Sequence, residues 1–237
     1  MKRNDLKVLI FDLDGTLTHS RSVISHKMTD ALRAAEGLYE VVVISGAQRL
    51  QMLNQIPWLE DSLFTVMGQS GNDTMKGDEM IFRNLLRFED IHSVFLHLAD
   101  IHDEYNLGVG VGIDTTEVRG GQISWSRIGH NADKAEKKAY DPNGDIRREM
   151  LERVPFKNEE MMVKIGGTTC LDYTRNGWGK RGNIEKLLEL NGWKKEDCMY
   201  IGDQLFKGGN DEEVMQLMET VAVNGPEQTL KVINSII

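Results

Sequence analysis

The sequence predicts an α/β protein built on a doubly wound, mostly parallel, Rossmann-like sheet that carries an inserted α+β module. Short continuous apolar runs alternate with amphipathic helical segments at both ends of the chain, and such alternation favours parallel strands joined by right-handed crossovers. Between about residues 86 and 175 the pattern changes to extended segments of alternating character with helices among them. We therefore assign residues 1–85 and 176–237 to the core and 86–175 to the inserted module.

The first third of the chain predicts strand, helix, strand, helix, strand. The segments 7–11 and 40–45 each contain a continuous apolar stretch, at 8–11 and 41–44, as is typical of strands that are covered on both faces. Ser25 is a favourable N-cap for the helix between them, and Gly37 a favourable stop. A second helix and a strand at 63–67 complete the pattern.

The inserted module begins with a hairpin signal, because residues 108–128 contain two extended segments joined at Gly120 and Gly121. The remaining predicted elements are a charged helical stretch at 131–154 interrupted at 141–144, extended segments at 161–165 and 171–173, a helix at 182–190, a strand at 199–201, a helix at 211–218, a strand at 221–223 and a helix after Pro226. The last five of these restore the parallel pattern.

Composition excludes several classes of partner. The chain of 237 residues has 28 Lys and Arg against 37 Asp and Glu, a formal charge of −9, which disfavours nucleic acid and anionic membranes. No apolar run approaches the roughly 20 residues that span a bilayer. Cys170 and Cys198 are too few for a disulfide framework. We expect a reduced, cytoplasmic protein.

Polar residues follow the predicted core strands where ligands of open parallel sheets bind. These residues are Asp12 and Asp14, Ser45 and Gly46, Lys180, and Asp203 with Asn210 and Asp211. Oxygens converging from Asp12 and Asp203 suit octahedral Mg²⁺, which would offset the repulsion between the carboxylates. A carboxylate can also serve as the nucleophile that forms an aspartyl-phosphate, while a neighbour moves the proton.

Four motifs in order, DLDGTLT, ISG, GWGKRGNI and IGDQLFKGGND, resemble those of the haloacid dehalogenase-like (HAD) phosphotransferases. The resemblance implies that Asp12 is the nucleophile and a metal ligand, Asp14 the acid/base and a backbone-carbonyl metal ligand, and Asp203 the second carboxylate ligand. It further implies that Ser45, with Gly46, and Lys180 bind the transferring phosphoryl group, and that Asn210 and Asp211 support the metal shell. Ser45 can also cap the next helix.

The inserted module resembles the type IIB cap of this superfamily, and the stretches EVRGGQISWSRIGHNADKAE, KIGGTTCLDYTRNGWGK and GGND resemble eukaryotic-type phosphomannomutases. That resemblance implies substrate contacts from Arg119, His130, Lys137, Cys170 and Asp172, and a possible homodimer through the cap. Arg119, His130 and Lys137 can equally be surface charges, and Asp172 can cap a turn.

Three of these cap positions depart from the mutase pattern, because His130 and Lys137 replace arginines and Cys170 replaces a serine. Arginine binds phosphate bidentately, whereas lysine is a point charge and histidine is only partly charged near neutral pH. We therefore expect a Mg²⁺-dependent phosphatase acting on a small phosphorylated sugar. The alternatives are interconversion of mannose 1-phosphate and mannose 6-phosphate, and a non-catalytic sugar-phosphate-binding protein.

Overall fold

The computed structural model describes residues 3, 5–107 and 114–237, so the predicted extended segment at 108–113 lies outside the described residues. The strands are β1 (Val8–Asp12), β2 (Glu40–Ile44), β3 (Thr65–Gly68), β4 (Asp73–Lys76), β5 (Glu79–Arg83), β6 (Thr116–Val118), β7 (Ile123–Ser126), β8 (Met161–Gly166), β9 (Cys170–Arg175), β10 (Cys198–Gly202) and β11 (Glu219–Ala222). The helices are α1 (His26–Glu36), α2 (Arg49–Gln55), α3 (Phe88–Glu104), α4 (Lys134–Tyr140), α5 (Asp145–Arg153), α6 (Lys180–Asn191) and α7 (Pro226–Ile236).

The chain folds as two compact units. The first unit runs to Arg83 and resumes at Gly177, and the second comprises Asn84–Asn176. Both cysteines are free thiols. Across the described ranges, every helix is too short or too polar to cross a bilayer.

The first unit contains a seven-stranded sheet in the order β11-β10-β1-β2-β3-β4-β5. The strands from β11 to β3 are parallel, whereas β4 and β5 add an antiparallel edge. Strand β1 lies between β2, which follows it in sequence, and β10, which belongs to the returning chain. The winding direction therefore reverses at β1, and the carboxyl end of such a switch point is where open α/β sheets bind ligands.

Strand β1 is buried on both faces, which explains why its sequence is continuously apolar. Leu9 and Phe11 belong to the cluster that includes residues of α1, α2 and α7. Val8 and Ile10 belong to the cluster on the other side, which includes residues of α6. Alternate side chains of one short strand thus hold the two helical layers onto the sheet.

Helix α1 begins and ends where the sequence predicts. The backbone N–H of Met28 donates to Ser25 Oγ at 3.3 Å, and Gly37 is the C-cap. At α2 the prediction that Ser45 caps the helix is wrong, because the N-cap is Gln48. Ser45 Oγ instead accepts from the Ala47 N–H at 3.1 Å, which shapes the turn that follows β2.

The prediction of a helix at 211–218 is wrong. In its place the chain forms a single 3₁₀ turn, Glu212–Val214, followed by further turns. The Val214 N–H bonds to the Asp211 carbonyl and the Leu217 N–H to the Val214 carbonyl, each three residues back. Because Val214 and Leu217 are also three residues apart, these turns bury both apolar side chains. Spacing alone did not separate this arrangement from an α-helix.

The second unit contains a four-stranded antiparallel sheet in the order β6-β7-β9-β8. The interruption predicted at 141–144 is confirmed, since it separates α4 from α5. The sequence pattern did not predict α3, whose Phe88, Phe95 and Leu96 are exposed while Val94 and Leu98 are buried. Apolar side chains on both of its faces blur the periodicity that marks an amphipathic helix.

A fully buried arginine ties α5 to the hairpin that joins β8 and β9. Arg147 Nη1 donates to the carbonyls of Gly166, Gly167 and Cys170 at 2.7, 3.0 and 3.0 Å. Its Nε pairs with Asp141 Oδ2 at 2.8 Å, and Arg147 has no solvent exposure. These contacts fix the conformation of the turn that leads into β9.

A buried histidine makes the stability of the second unit sensitive to pH. His97 Nε2 donates to the Val154 carbonyl at 2.7 Å, and Nδ1 accepts from the Tyr173 hydroxyl at 2.9 Å. Burial lowers the pKa of His97 below its ordinary value, and the hydrogen bond to Val154 opposes this only in part. The neutral ring is therefore the form that stabilises the fold.

We expect the free energy of unfolding of the second unit to fall as the pH drops from 7 to 5. A histidine whose pKa is lowered on folding contributes stability that is complete above its unfolded pKa of about 6.5 and is lost as the pH falls through the lower, folded value. Burial also lowers the pKa of His130 in the same unit, so His97→Gln should reduce the slope without abolishing it. Urea unfolding at several pH values measures this. His92→Gln, at an exposed position of the same helix, is the control, and an unchanged slope in His97→Gln would contradict the prediction.

Candidate active site

Three acidic side chains meet at the carboxyl edge of the core sheet. Asp12 ends β1, Asp203 follows β10 directly, and Asp211 lies in the loop beyond it. One carboxylate oxygen from each of the three lies within 4.8 Å of the others. Since β1 and β10 are parallel neighbours, their ends converge on the same edge, which positions the first two residues.

Lys180 joins two of these carboxylates. It is the first residue of α6, and its Nζ donates to Asp12 Oδ1 at 2.5 Å and to Asp211 Oδ1 at 2.6 Å. Lys180 is 3% exposed and Asp12 4%, so both ion pairs are shielded from water. Although burial lowers the pKa of Lys180, the two carboxylates outweigh it and raise the pKa, which keeps the ammonium charged.

Asp203 lies against the loop that follows β1. Thr16 Oγ1 and Gln204 Nε2 donate to its two oxygens at 3.5 and 3.1 Å. Gly15 has a φ of +82°, and a β-carbon there would collide with the Asp203 carboxylate. Glycine at position 15 therefore serves both the left-handed turn and the close approach of Asp203.

The other core residues predicted for the site are placed differently. The backbone N–H of Arg21 donates to Asp14 Oδ1 at 2.7 Å, so the side chain of Asp14 is held by its own loop. Ser45 follows β2, the parallel neighbour of β1, and Gly46 follows Ser45. Asn210 is exposed and lies in the loop directly before Asp211.

The acidic cluster fits a divalent cation. Three carboxylates face one ammonium group, which leaves an excess of negative charge in a buried place. Burial raises the pKa of Asp12 despite the opposing charge of Lys180, and it raises the pKa of Asp203. A bound cation would relieve this cost, and a donor set of oxygens alone is the kind that Mg²⁺ or Ca²⁺ takes.

In the second unit, the predicted substrate-contacting residues cluster around Glu117 on β6. Arg119 Nη2 pairs with Glu117 Oε2 at 2.6 Å, and His130 Nδ1 lies 3.8 Å from Glu117 Oε1. His130 Nε2 donates to the Ser124 carbonyl at 3.1 Å, and Lys137 Nζ donates to the His130 carbonyl at 2.5 Å. Burial lowers the pKa of His130, so this ring is neutral near pH 7.

Cys170 and Asp172 lie on β9, which pairs with β7. Asp172 is opposite Ser124, and Cys170 is opposite Ser126. The alternate residues of these strands, such as Trp125 and Leu171, form the apolar face. Asp172 therefore belongs to what we call the polar face of the second sheet, which comprises Glu117, Gln122, Ser124, Cys170 and Asp172.

Two acceptor oxygens of the polar face are buried without a hydrogen-bond partner in the described part of the chain. They are Asp172 Oδ1 and Gln122 Oε1. A β-carbon at Gly166 would collide with the Asp172 carboxylate, so glycine there makes room for this side chain. Buried acceptors of this kind are costly unless a donor reaches them.

Sequence reasoning missed Tyr200, Glu117 and Gln122. Tyr200 lies within the apolar run of β10, where a tyrosine is expected to be an ordinary core residue. Its hydroxyl nevertheless donates to Asp211 Oδ1 at 2.6 Å. Glu117 stands two residues before Arg119, on the same face of an extended segment. That spacing was the available signal for an ion pair.

The fold and the buried lysine-carboxylate site define an enzyme of the haloacid dehalogenase-like phosphotransferases, a phosphatase or a phosphohexomutase. The profile of haloacid dehalogenase-like hydrolases matches residues 9–113. The profile of eukaryotic phosphomannomutases matches residues 71–237, which is more than half of the chain. The chain belongs to the eukaryotic phosphomannomutase family.

Relatives cover nearly the whole chain. A phosphomannomutase of Dendrobium officinale is 27% identical over 94% of this chain and 90% of the relative. One of Triticum aestivum is 27% identical over 99% of this chain and 97% of the relative. These similarities favour the mutase over the phosphatase that we expected from His130, Lys137 and Cys170.

Solved structures show the same fold at lower identity. A Streptococcus mutans protein superposes with a TM-score of 0.72 at 18% identity, covering 97% of this chain and 98% of the other. An IMP-nucleotidase of Plasmodium falciparum superposes with a TM-score of 0.67 at 17% identity, covering 98% of this chain and 68% of the other. At this identity the likeness concerns the fold alone.

Proposed function

We propose that the protein is a Mg²⁺-dependent phosphohexomutase of the phosphomannomutase type, which interconverts mannose 1-phosphate and mannose 6-phosphate through an aspartyl-phosphate on Asp12. The observation that carries the proposal is the position of Asp12, which lies at the switch point of the sheet with Lys180 bound to one of its oxygens at 2.5 Å. Membership of the mutase family supports the choice of substrate.

The chemistry follows from the charges around Asp12. An oxygen of its carboxylate attacks phosphorus, the bond from phosphorus to the sugar oxygen breaks, and Asp14 gives that oxygen a proton. In the second half, a hydroxyl of the bound sugar attacks the aspartyl-phosphate and returns a proton to Asp14. Lys180 stabilises the charge that gathers on the transferring group.

Asp12, Asp203 and Asp211 are the side chains that would hold the Mg²⁺ ion, together with the backbone carbonyl of Asp14. When bound, the ion would supply positive charge that neutralises the phosphoryl oxygens and offsets the repulsion among the carboxylates. The raised pKa of Asp12 without a cation supports this role, because a nucleophilic carboxylate must be ionised.

The polar face of the second sheet carries acceptor groups that suit the hydroxyl groups of a sugar. Asp172 Oδ1 and Gln122 Oε1, which have no hydrogen-bond partner among the residues that the structure describes, are acceptors, and the hydroxyl groups of a hexose are donors. Lys137 adds positive charge for a phosphate, and Arg119 offers further N–H donors although Glu117 offsets its charge. We propose that the second unit, residues 84–176, acts as a cap that selects the substrate. The homodimer through the cap stays a prediction.

Hydrolysis is the second candidate function. Glu117 neutralises Arg119, and His130 is neutral and hydrogen-bonded to the Ser124 carbonyl. Both features weaken the hold on the distal phosphate of a bisphosphate, which a mutase must keep while the sugar reorients. A phosphatase has no such requirement.

Incubation with mannose 1-phosphate and Mg²⁺, with and without a trace of hexose 1,6-bisphosphate, separates the two candidates. We expect mannose 6-phosphate to appear only when the bisphosphate is present, and to disappear when a chelator removes the metal. Free phosphate is measured in parallel, with Asp12→Asn as the inactive control. Free phosphate as the main product would replace the mutase with the phosphatase, and the absence of both products would contradict the mutase and any hydrolysis of mannose 1-phosphate.

A further inference from the structure

One group in the core site has a buried hydroxyl that the proposed chemistry does not use. Tyr200 lies in the middle of β10 and has no solvent exposure. Its hydroxyl donates to Asp211 Oδ1 at 2.6 Å and accepts from Lys180 Nζ at 3.4 Å. The same carboxylate oxygen accepts from Lys180 at 2.6 Å. Tyrosine, lysine and aspartate thus form a closed triangle.

This triangle fixes the direction of Lys180. The other oxygen of Asp211 accepts from the Gln204 backbone N–H at 3.3 Å, so the carboxylate is held from two sides. Lys180 then spans the distance to Asp12, which it contacts at 2.5 Å. Without the tyrosine hydroxyl, Asp211 Oδ1 would lose one of its two donors and the lysine one of its three contacts.

We propose that Tyr200 is a positioning residue, whose hydroxyl holds Asp211 so that Lys180 stays directed at Asp12 and at the phosphoryl group. The inference rests on the proposed roles of Asp12 and Lys180, and not on the identity of the sugar. The ring of Tyr200 belongs to the buried cluster that includes Ile10 and Leu187, and phenylalanine would fill that space equally well. A buried hydroxyl needs a partner, and among the described residues the Tyr200 hydroxyl finds its partners, Asp211 and Lys180, within the site.

The test compares two buried tyrosines that differ in their partners. Tyr200→Phe removes the hydroxyl in the site. Tyr39→Phe removes a hydroxyl that donates to the Ile236 carbonyl at 2.6 Å, where α7 ends. Tyr200→Phe loses the hydrogen bonds to Asp211 and from Lys180, and Tyr39→Phe loses the one to Ile236. Both keep the ring, so both should unfold at a slightly lower temperature. A merely structural role for Tyr200 would make the two variants alike in every other respect.

The readouts are hydrolysis of an aryl phosphate with Mg²⁺ and the Kd for inorganic phosphate measured by calorimetry. We expect Tyr200→Phe to lower kcat about tenfold, as for the loss of a hydrogen bond to a charged group, and to weaken phosphate binding several-fold. Tyr39→Phe should keep both values within about twofold. Lys180→Met, which removes the group being positioned, should lower kcat further.

A wild-type kcat and phosphate Kd in folded Tyr200→Phe would overturn the inference, whatever the fate of the mutase proposal. Conversely, a protein that turns over no hexose phosphate but shows the Tyr200 effect on the aryl phosphate would refute the proposed substrate and support the inference. Equal losses of activity in both tyrosine variants would also count against it, since Tyr39 lies away from the acidic cluster.

Discussion

Asp12→Asn is expected to lower turnover by more than about a thousandfold while the protein stays folded. The amide is not nucleophilic, so the aspartyl-phosphate cannot form. The replacement also removes a carboxylate that is costly to keep charged in its buried position, as the raised pKa of Asp12 indicates. For that reason the variant should be no less stable than the wild type. Steady-state hydrolysis of an aryl phosphate measures the first expectation, and thermal unfolding the second.

Asp61→Asn is a suitable control, because Asp61 is exposed and lies in the loop before β3. The control should keep full activity. A folded Asp12→Asn variant that retained more than a few per cent of wild-type turnover would refute the assignment of Asp12 as the nucleophile. Loss of activity accompanied by loss of structure would contradict the expected stability.

Arg147→Met is expected to destabilise the second unit by about 3–5 kcal/mol, the usual cost of removing one partner from a buried ion pair. The substitution leaves Asp141, 2% exposed, without its charge partner. It also leaves the carbonyls of Gly166, Gly167 and Cys170 without the Nη1 donor. Chemical denaturation, with hydrogen exchange read separately in the second unit, measures the loss.

Arg148→Met tests the same change of side chain one residue further on. Arg148 is about half exposed and pairs with Asp145 at 2.6 Å, so its replacement should cost less than about 1 kcal/mol. The double variant Asp141→Asn with Arg147→Met should lose less stability than the sum of the two single changes. Equal stability of the Arg147 and Arg148 variants would contradict our account of the buried pair.

The core unit was largely predictable because its signals are local. Continuous apolar strands, the Ser25 cap and the polar residues after β1 and β10 are each set by a few neighbouring residues. The antiparallel edge and α3 were not predictable in the same way. Helix α3 has exposed Phe88 and Phe95 beside buried Val94, so its sequence lacks a clean apolar face.

Part of the site also depends on contacts between distant residues. Asp12, Asp203 and Lys180 could be grouped from the sequence because two strands end and one helix begins at the same edge of the sheet. Tyr200 could not be found in this way, since an apolar strand such as β10 gives no sign of where a single hydroxyl points. The departures from the mutase pattern at His130 and Lys137 could be seen in the sequence. The ion pair of Arg119 with Glu117 could be seen only in the structure.

The order of the chain also bears on how such enzymes diversify. The residues of the acidic cluster and Lys180 lie outside the segment Asn84–Asn176. On the far side of that segment the carbonyl of Trp178 accepts from Asn72 and Asn183, which belong to the core unit. The returning chain is thus anchored before Lys180 is reached. Under the proposed role of the second unit, changes within the insertion would alter the choice of substrate while the residues of the core site stay unchanged.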